Sequence, residues 1–175
     1  MALIQKNNPI NEDVVIAKIQ TELYNNLIAK GVASYESYER VYVVNGVPEL
    51  YLGNGNYKEV FFDDRFNLTS FFLLGNTKEI DNIGTATIDL AIIFQANLVQ
   101  LYSNIVHRAD AEFHADITDS LNQIPIDFEF ISIVTGFDNV YSGLTIENKQ
   151  YLDDMSRFHL VRFNLKINYL ETCKN

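Results

Sequence analysis

The amino-acid sequence predicts an α+β fold: a mixed, mostly antiparallel sheet with an N-terminal helix and a long broken helix packed on one face. The first observation is a strand pattern that runs almost directly into a helix pattern. Apolar residues alternate with polar ones over residues 86–95, and from Leu98 to Leu121 they recur every three or four positions. The second observation is renewed alternation over residues 159–169. Because the apolar faces of strand and helix must both be buried, we expect the helix to lie across the sheet.

Length and composition predict a single domain spanning residues 1–175, with a substantial hydrophobic core. The chain is 47% hydrophobic and 21% charged, which is ordinary for a globular protein. Its net charge of -10 argues against general binding to nucleic acid or acidic membranes, since both are polyanions. Cys173 is the one cysteine, so no intramolecular disulfide is expected. We find neither a signal-peptide pattern nor an apolar run of membrane-spanning length, and therefore expect synthesis in the cytoplasm.

The N-terminal segment predicts a helix over residues 11–30. Asn11 is a typical N-cap residue, and the acidic residues that follow it suit the positive end of the helix dipole. Gly31 is placed to end the helix in a left-handed turn. The apolar stripe of this helix should pack on the sheet.

A β-hairpin is predicted around Asn45 and Gly46, because this dipeptide readily takes the positive φ angles of a type I′ turn. Its strands cover residues 38–44 and 47–52. Pro48 has no amide hydrogen, so we expect its strand to lie at a sheet edge or to begin there.

Residues 53–56, Gly-Asn-Gly-Asn, favour a plain turn over a phosphate-binding loop, because no Lys-Ser or Lys-Thr pair follows. Two further strands are predicted over residues 57–62 and 66–74. Residues 75–84 are mostly polar and predict a loop.

Phenylalanine and leucine clusters in the 61–74 region exceed what one buried sheet face absorbs. Contact with another subunit and burial under the chain's own loops both explain them. Pro125 ends the helix pattern, and residues 127–135 predict a strand with a nearly continuous apolar run. The long segment over residues 137–156 is typical of an interaction arm or of an extra strand.

His107, Asp110 and His114 fall within a narrow arc of the predicted helix, which is one arrangement of metal ligands. A solvated helix face explains them better, because no second cluster completes a coordination shell. The adjacent Asp63 and Asp64 are a second metal candidate, but neighbouring strand residues point to opposite faces. We therefore predict no metal, no cofactor and no catalytic residue. The drift of the apolar stripe around the helix predicts a bend or break near residues 114–118.

Charge is unevenly distributed along the second half of the chain. Residues 110–147 contain acidic side chains and no Lys or Arg, whereas cations recur after this stretch. An acidic and a basic surface would suit contacts between identical copies, although a merely solvated distribution explains the pattern as well. The later cations are Lys149, Arg157, Arg162, Lys166 and Lys174.

The order of these elements resembles that of the tail terminator or tail-completion proteins of tailed bacteriophages. The resemblance is carried by the helix at residues 11–30, the strand-to-helix passage that begins at residues 87–94, and the closing strand at residues 158–169. It implies a structural virion protein of the neck, not an enzyme, which assembles in the host cytoplasm. Identical subunits would form a homo-oligomeric ring of six copies that caps the tail tube.

The implied partners are other copies of the chain in a hexameric ring, the tail-tube protein and the head-completion or connector protein. DNA would pass through the lumen without specific binding, and no membrane is involved. Ring closure needs two different patches on each copy. We expect one in the 61–74 region and the other in the arm at 137–156. The predicted interface residues are Phe61, Phe62, Phe71, Phe72, Phe137, Tyr141 and Tyr151.

Two alternatives remain open at this stage. One is a different phage neck ring or adaptor protein built on the same fold. The other is a small metal-dependent enzyme, which requires His107, Asp110 and His114, with Asp63 or Asp64, to converge in one pocket.

Overall fold

The structure is a computed structural model that describes residues 2–60, 65–103, 108–145 and 158–171. The fold is α+β, as the sequence predicts. The helices are α1 (Glu12–Ala29), α2 (Leu98–Leu101), α3 (Ala109–Asn122) and α4 (Phe137–Val140). The strands are β1 (Ala2–Ile4), β2 (Tyr35–Arg40), β3 (Tyr42–Val44), β4 (Val47–Gly53), β5 (Asn56–Glu59), β6 (Leu68–Ile80), β7 (Thr85–Ala96), β8 (Phe128–Thr135) and β9 (His159–Leu170).

The main sheet has six strands in the order β1-β2-β6-β7-β9-β8, and a second sheet has three in the order β3-β4-β5. In the main sheet, β2 pairs with β1 and with β6 in parallel, while the three pairs among β6, β7, β9 and β8 are antiparallel. The predicted mixed, mostly antiparallel sheet is therefore confirmed. The β8 strand lies at one edge and the three-residue β1 strand at the other.

Helix α1 begins after Asn11 and ends just before Gly31, as predicted. Gly31 has a φ of 95° and its amide donates to the carbonyl of Ile28, while the Val32 amide donates to Leu27, both at 3.0 Å. Asn11 occupies the predicted N-cap position. Its side chain makes no capping bond and instead donates to Glu171 at 3.0 Å, which ties the start of α1 to the residue after β9.

The hairpin at Asn45 and Gly46 is confirmed, with φ angles of 52° and 87°. The edge position expected for Pro48 is wrong, because β4 is the central strand of the small sheet. Pro48 lies one residue outside the paired stretch with β5, which begins at Glu49, and its carbonyl still accepts the Val60 amide at 2.9 Å. The missing amide hydrogen of Pro48 therefore removes little from the hydrogen-bond ladder between β4 and β5.

Residues 53–56 make the turn between β4 and β5, as predicted. The predicted loop over residues 75–84 is wrong, because β6 continues to Ile80 and pairs with β7. Residues 76–80 are exposed, so their strand lacks the apolar alternation that marks a buried face. The turn closes on Asp81, whose carboxylate accepts the amides of Ile83 and Thr85 at 2.9 and 2.8 Å.

The passage from β7 into a helix is confirmed, but the position predicted for the break is wrong. Helix α2 ends at Leu101, and α3 runs unbroken from Ala109 through residues 114–118. Tyr102 leaves the helical region with φ and ψ of -129° and 45°.

Two apolar cores lie on opposite faces of the main sheet. On one face α1 and α3 cover β7 and β9, as predicted for both helices. On the other face the small sheet and α4 pack against the same strands. From Leu90 onward β7 is buried on both sides, so the predicted single buried face holds only for its first half. The residues that α1 and α3 bury are Ile16, Ile19, Leu23, Leu27, Phe113, Ile117 and Leu121.

Candidate interaction surface

The predicted interface residues of β6 are buried inside the subunit. Phe71 is 2% exposed and Phe72 is fully buried. Phe72 belongs to the core under the helices and Phe71 to the core under the small sheet. Placing them on an exposed interface is wrong, because this part of β6 is buried on both faces. A strand buried on both faces has a continuous apolar run instead of alternation. Phe61 and Phe62 lie outside the described residues.

The beginning of the predicted arm also folds onto the sheet. Tyr141 is 5% exposed, and its hydroxyl is hydrogen-bonded to the side-chain amide of Gln95. Burial raises the pKa of this tyrosine. Phe137 is half-buried with its ring centroid 5.1 Å from that of Tyr141. Tyr141 therefore has no surface to offer a partner, and Tyr151 lies outside the described residues.

An exposed apolar edge lies instead along β8. Within the described chain this strand pairs only with β9, which leaves its outer edge open. Ile131 is 53% exposed and Ile133 is 43% exposed. The pairing register with β9 shifts between Phe130 and Ser132, which places Ile131 in a bulge. The sequence indicated this strand correctly but carried no signal that it is an edge strand.

A groove of about 430 Å³ runs beside this edge, on the sheet face opposite α3. Ile131 and Ser132 line one side of it, and the polar face of β9 lines its floor. Arg162 Nε donates to Asn164 Oδ1 at 2.8 Å, and Asn164 Nδ2 donates to Ser132 Oγ at 3.0 Å. This chain of bonds holds the Arg162 guanidinium in the groove, which Lys166 also lines.

The two faces of the sheet differ in charge. Helix α3 on one face carries Asp110, Glu112, Asp116 and Asp119. Some of this charge is neutralised, because Lys30 Nζ lies 2.7 Å from Asp116 Oδ1 and 3.8 Å from Asp119 Oδ2. The groove on the other face contains two cations, Arg162 and Lys166, with one carboxylate, Asp89.

The helical arc proposed as a metal site is only partly described. Asp110 is paired with Arg108, and Arg108 Nε donates to Asp110 Oδ1 at 3.0 Å. His107, Asp63 and Asp64 lie outside the described residues. His114 instead meets His159, with their Nε2 atoms 2.8 Å apart. Sequence reasoning missed this pair, because the contact spans 45 residues.

Burial lowers the pKa of both histidines, and His114 further lowers the pKa of His159. The Asp110 carboxylate raises both pKa values, while the Arg108 guanidinium lowers them. In the part of the chain that the structure describes, no group of three or more His, Cys, Asp or Glu side chains is arranged to hold a metal ion.

A network of ion pairs surrounds the start of α1. Lys6 Nζ lies 2.9 Å from Asp13 Oδ2, and Arg40 pairs with both Glu12 and Asp13 at 3.1 and 3.0 Å. At its outer side Lys78 Nζ lies 2.9 Å from Glu171 Oε2. The network joins segments that are far apart in the sequence, so no local sequence pattern predicts it.

None of the described helices is both long and apolar enough to cross a membrane. Comparison with known proteins finds no family model and no curated protein that matches this chain.

Proposed function

We propose that the chain is a structural ring subunit of a tailed bacteriophage, a tail terminator or tail-completion protein that joins the tail tube to the head connector. The observation that best supports this role is that β8 has no strand on its outer side among the described residues, with Ile131 and Ile133 exposed along it. Unpaired edge strands are templates for contact with another chain, and soluble monomers usually protect them. The element order on which the resemblance rests also agrees with the observed order.

The charges favour contacts between different patches on neighbouring copies. Acidic side chains of α3 lie on one sheet face, and Arg162 and Lys166 lie in the groove on the other. Such a subunit can present its basic groove to the acidic helix of the next copy. A repeated head-to-tail contact of this kind closes into a ring when the rotation per subunit divides a full turn.

The β8 edge replaces Phe71, Phe72 and Tyr141 as the proposed interface. These three side chains already fill the subunit's own cores. An interface built on β8 also leaves those cores intact when the ring assembles.

A different neck ring or adaptor on the same fold remains the second proposal, since the β8 edge would serve it equally. Antibody labelling of intact virions separates the two. A terminator is expected at the junction of the head with a long tail, whereas an adaptor is expected on a short tail or an injection apparatus.

Self-assembly is tested by light scattering over a concentration series, combined with negative-stain microscopy. We expect the wild-type mass to rise to a closed multiple and rings to be visible. Ile131→Asp should weaken association at least about tenfold, because a carboxylate buried without a partner costs more than 1.4 kcal/mol. Ile80→Asp is the matched control, since Ile80 is an isoleucine of nearly the same exposure on β6, which is separated from β8 by two strands.

Circular dichroism must show that both variants fold. A wild-type protein that stays monomeric at its highest soluble concentration, with no rings in micrographs, would contradict the proposal. Equal association of Ile131→Asp and wild type would remove β8 from the interface.

A further inference from the structure

A cavity of about 240 Å³ lies between the end of β1 and the strand β4. Its apolar walls include Ile4, Leu50 and Leu52. Glu39 of β2 also lines it, although this glutamate is only 6% exposed. A buried carboxylate in a partly apolar cavity is unusual, because burying an ionised group without a partner is costly.

Two cationic side chains, Lys6 and Arg40, act on Glu39, and Lys6 also lines the cavity, but both are bonded to other groups. Lys6 Nζ bonds to Asp13 Oδ2 at 2.9 Å and to the hydroxyl of Tyr42 at 3.0 Å. The Arg40 guanidinium pairs with Asp13 and donates to the same hydroxyl at 2.6 Å. In the described part of the chain, the Glu39 carboxylate receives a hydrogen bond from the Lys6 backbone amide and none from a cationic side chain.

We propose that this cavity binds a primary alkylammonium group, with the Glu39 carboxylate as its counter-ion and the apolar walls around its methylene chain. A divalent metal fits poorly, because it needs several oxygen ligands and the cavity supplies one carboxylate. A guanidinium prefers planar, bidentate partners, whereas an ammonium is a compact charge on a flexible apolar stem. The site is independent of the proposed ring.

The same chemistry has two sources, a free polyamine and a lysine side chain of another protein. Both place an ammonium at the end of several methylenes. The two are distinguished with 1,5-diaminopentane and with a short peptide that contains one central lysine.

Binding should depend on pH in a defined direction. Burial, with a smaller contribution from the Asp13 carboxylate, raises the pKa of Glu39 to about 7, against the opposing effects of the Lys6 amide hydrogen bond and of the Lys6 and Arg40 charges. An ammonium binds the ionised carboxylate, so binding releases a proton from the fraction of molecules that hold one. Affinity should therefore fall about tenfold for each pH unit well below this pKa.

The test is titration of the full chain with each probe at pH 8 and at pH 6. Binding is measured by NMR chemical-shift changes and by isothermal titration calorimetry. We expect saturable binding at pH 8, weaker binding at pH 6, and a calorimetric heat that depends on the ionisation enthalpy of the buffer. Glu39→Gln should abolish binding of either probe. Glu49→Gln is the matched control, because this half-buried glutamate lies on the neighbouring strand β4 outside the cavity lining.

Binding of the diamine alone identifies a polyamine site, and binding of the peptide identifies a lysine-docking site. The proposal is overturned by wild-type protein that binds neither probe saturably, or by Glu39→Gln protein that binds as tightly as wild type. Glu39→Gln removes a buried charge, so loss of binding is not expected to reflect unfolding, and its NMR spectrum verifies this.

Discussion

Replacing Glu39 by Gln should make the protein more stable at neutral and alkaline pH. The side chain is buried, and burial raises its pKa from 4.5 to about 7. The folded state therefore holds a proton more tightly than the unfolded state does. Between these two pKa values the folded state binds more protons, so stability falls as the pH rises.

The size of the effect follows from the two pKa values. One pKa unit corresponds to 1.36 kcal/mol, so this group lowers the free energy of unfolding by about 3 kcal/mol between pH 4.5 and pH 8. Gln has nearly the same shape but does not titrate. The stability of Glu39→Gln relative to wild type should therefore rise by up to about 3 kcal/mol over this range.

The measurement is urea denaturation at several pH values and constant ionic strength, for wild type, Glu39→Gln and Glu49→Gln. A constant offset between wild type and Glu39→Gln reports the altered bond to the Lys6 amide, so the pH dependence of the difference is the diagnostic quantity. The reasoning is refuted if that difference does not grow from pH 4.5 to pH 8. It is also refuted if Glu49→Gln shows the same growth.

Three further predictions concern stability. Gln20 donates to backbone carbonyls of β1 and β2 at 3.1 and 3.0 Å, so Gln20→Leu should cost about 2 kcal/mol by leaving these carbonyls unpaired, as measured by urea denaturation. Gly31 has a φ of 95° with open space around it, so Gly31→Ala should cost about 1 kcal/mol through backbone strain alone, as measured by thermal unfolding. The lowered pKa values of His114 and His159 mean that their contribution to stability is present above pH 6.5 and lost on acidification, so the double substitution to Gln should reduce the loss of stability between pH 7 and pH 5.

Each of these predictions has a contrary outcome. Unchanged stability of Gln20→Leu would show that solvent or rearrangement satisfies both carbonyls. A stabilising Gly31→Ala substitution would contradict the left-handed helix end. An identical acid dependence in the double histidine variant would show that His114 and His159 do not cause the loss of stability between pH 7 and pH 5.

The sequence predicted those parts of the fold that local patterns specify. Alternation along β9 and the Asn45-Gly46 dipeptide each encode a local geometry, and both are confirmed. The polar end of β6 was missed because an exposed hairpin needs no buried face. The role of Phe71 and Phe72 was misjudged because an apolar run indicates only that both faces of a strand are buried. It does not indicate whether another subunit or the chain itself buries them.

The candidate sites were still harder to predict, because they depend on contacts between distant segments. Glu39 lacks an ion pair with Lys6 or Arg40 because both cations pair with Asp13. No residue near Glu39 in the sequence indicates that the cations pair with Asp13 and not with Glu39. The groove beside β8 likewise depends on sheet order, since Asn164 and Ser132 meet only when β9 pairs with β8.

The position of β9 has a consequence for biosynthesis. It is the last strand of the described chain, yet it lies between β7 and β8 and pairs with both. Until residues 159–170 have emerged from the ribosome, β8 has no pairing partner in the sheet and the apolar β7 is paired only with β6. The main sheet can close only after β9 has emerged, and until then the growing polypeptide is open to aggregation or to chaperone capture.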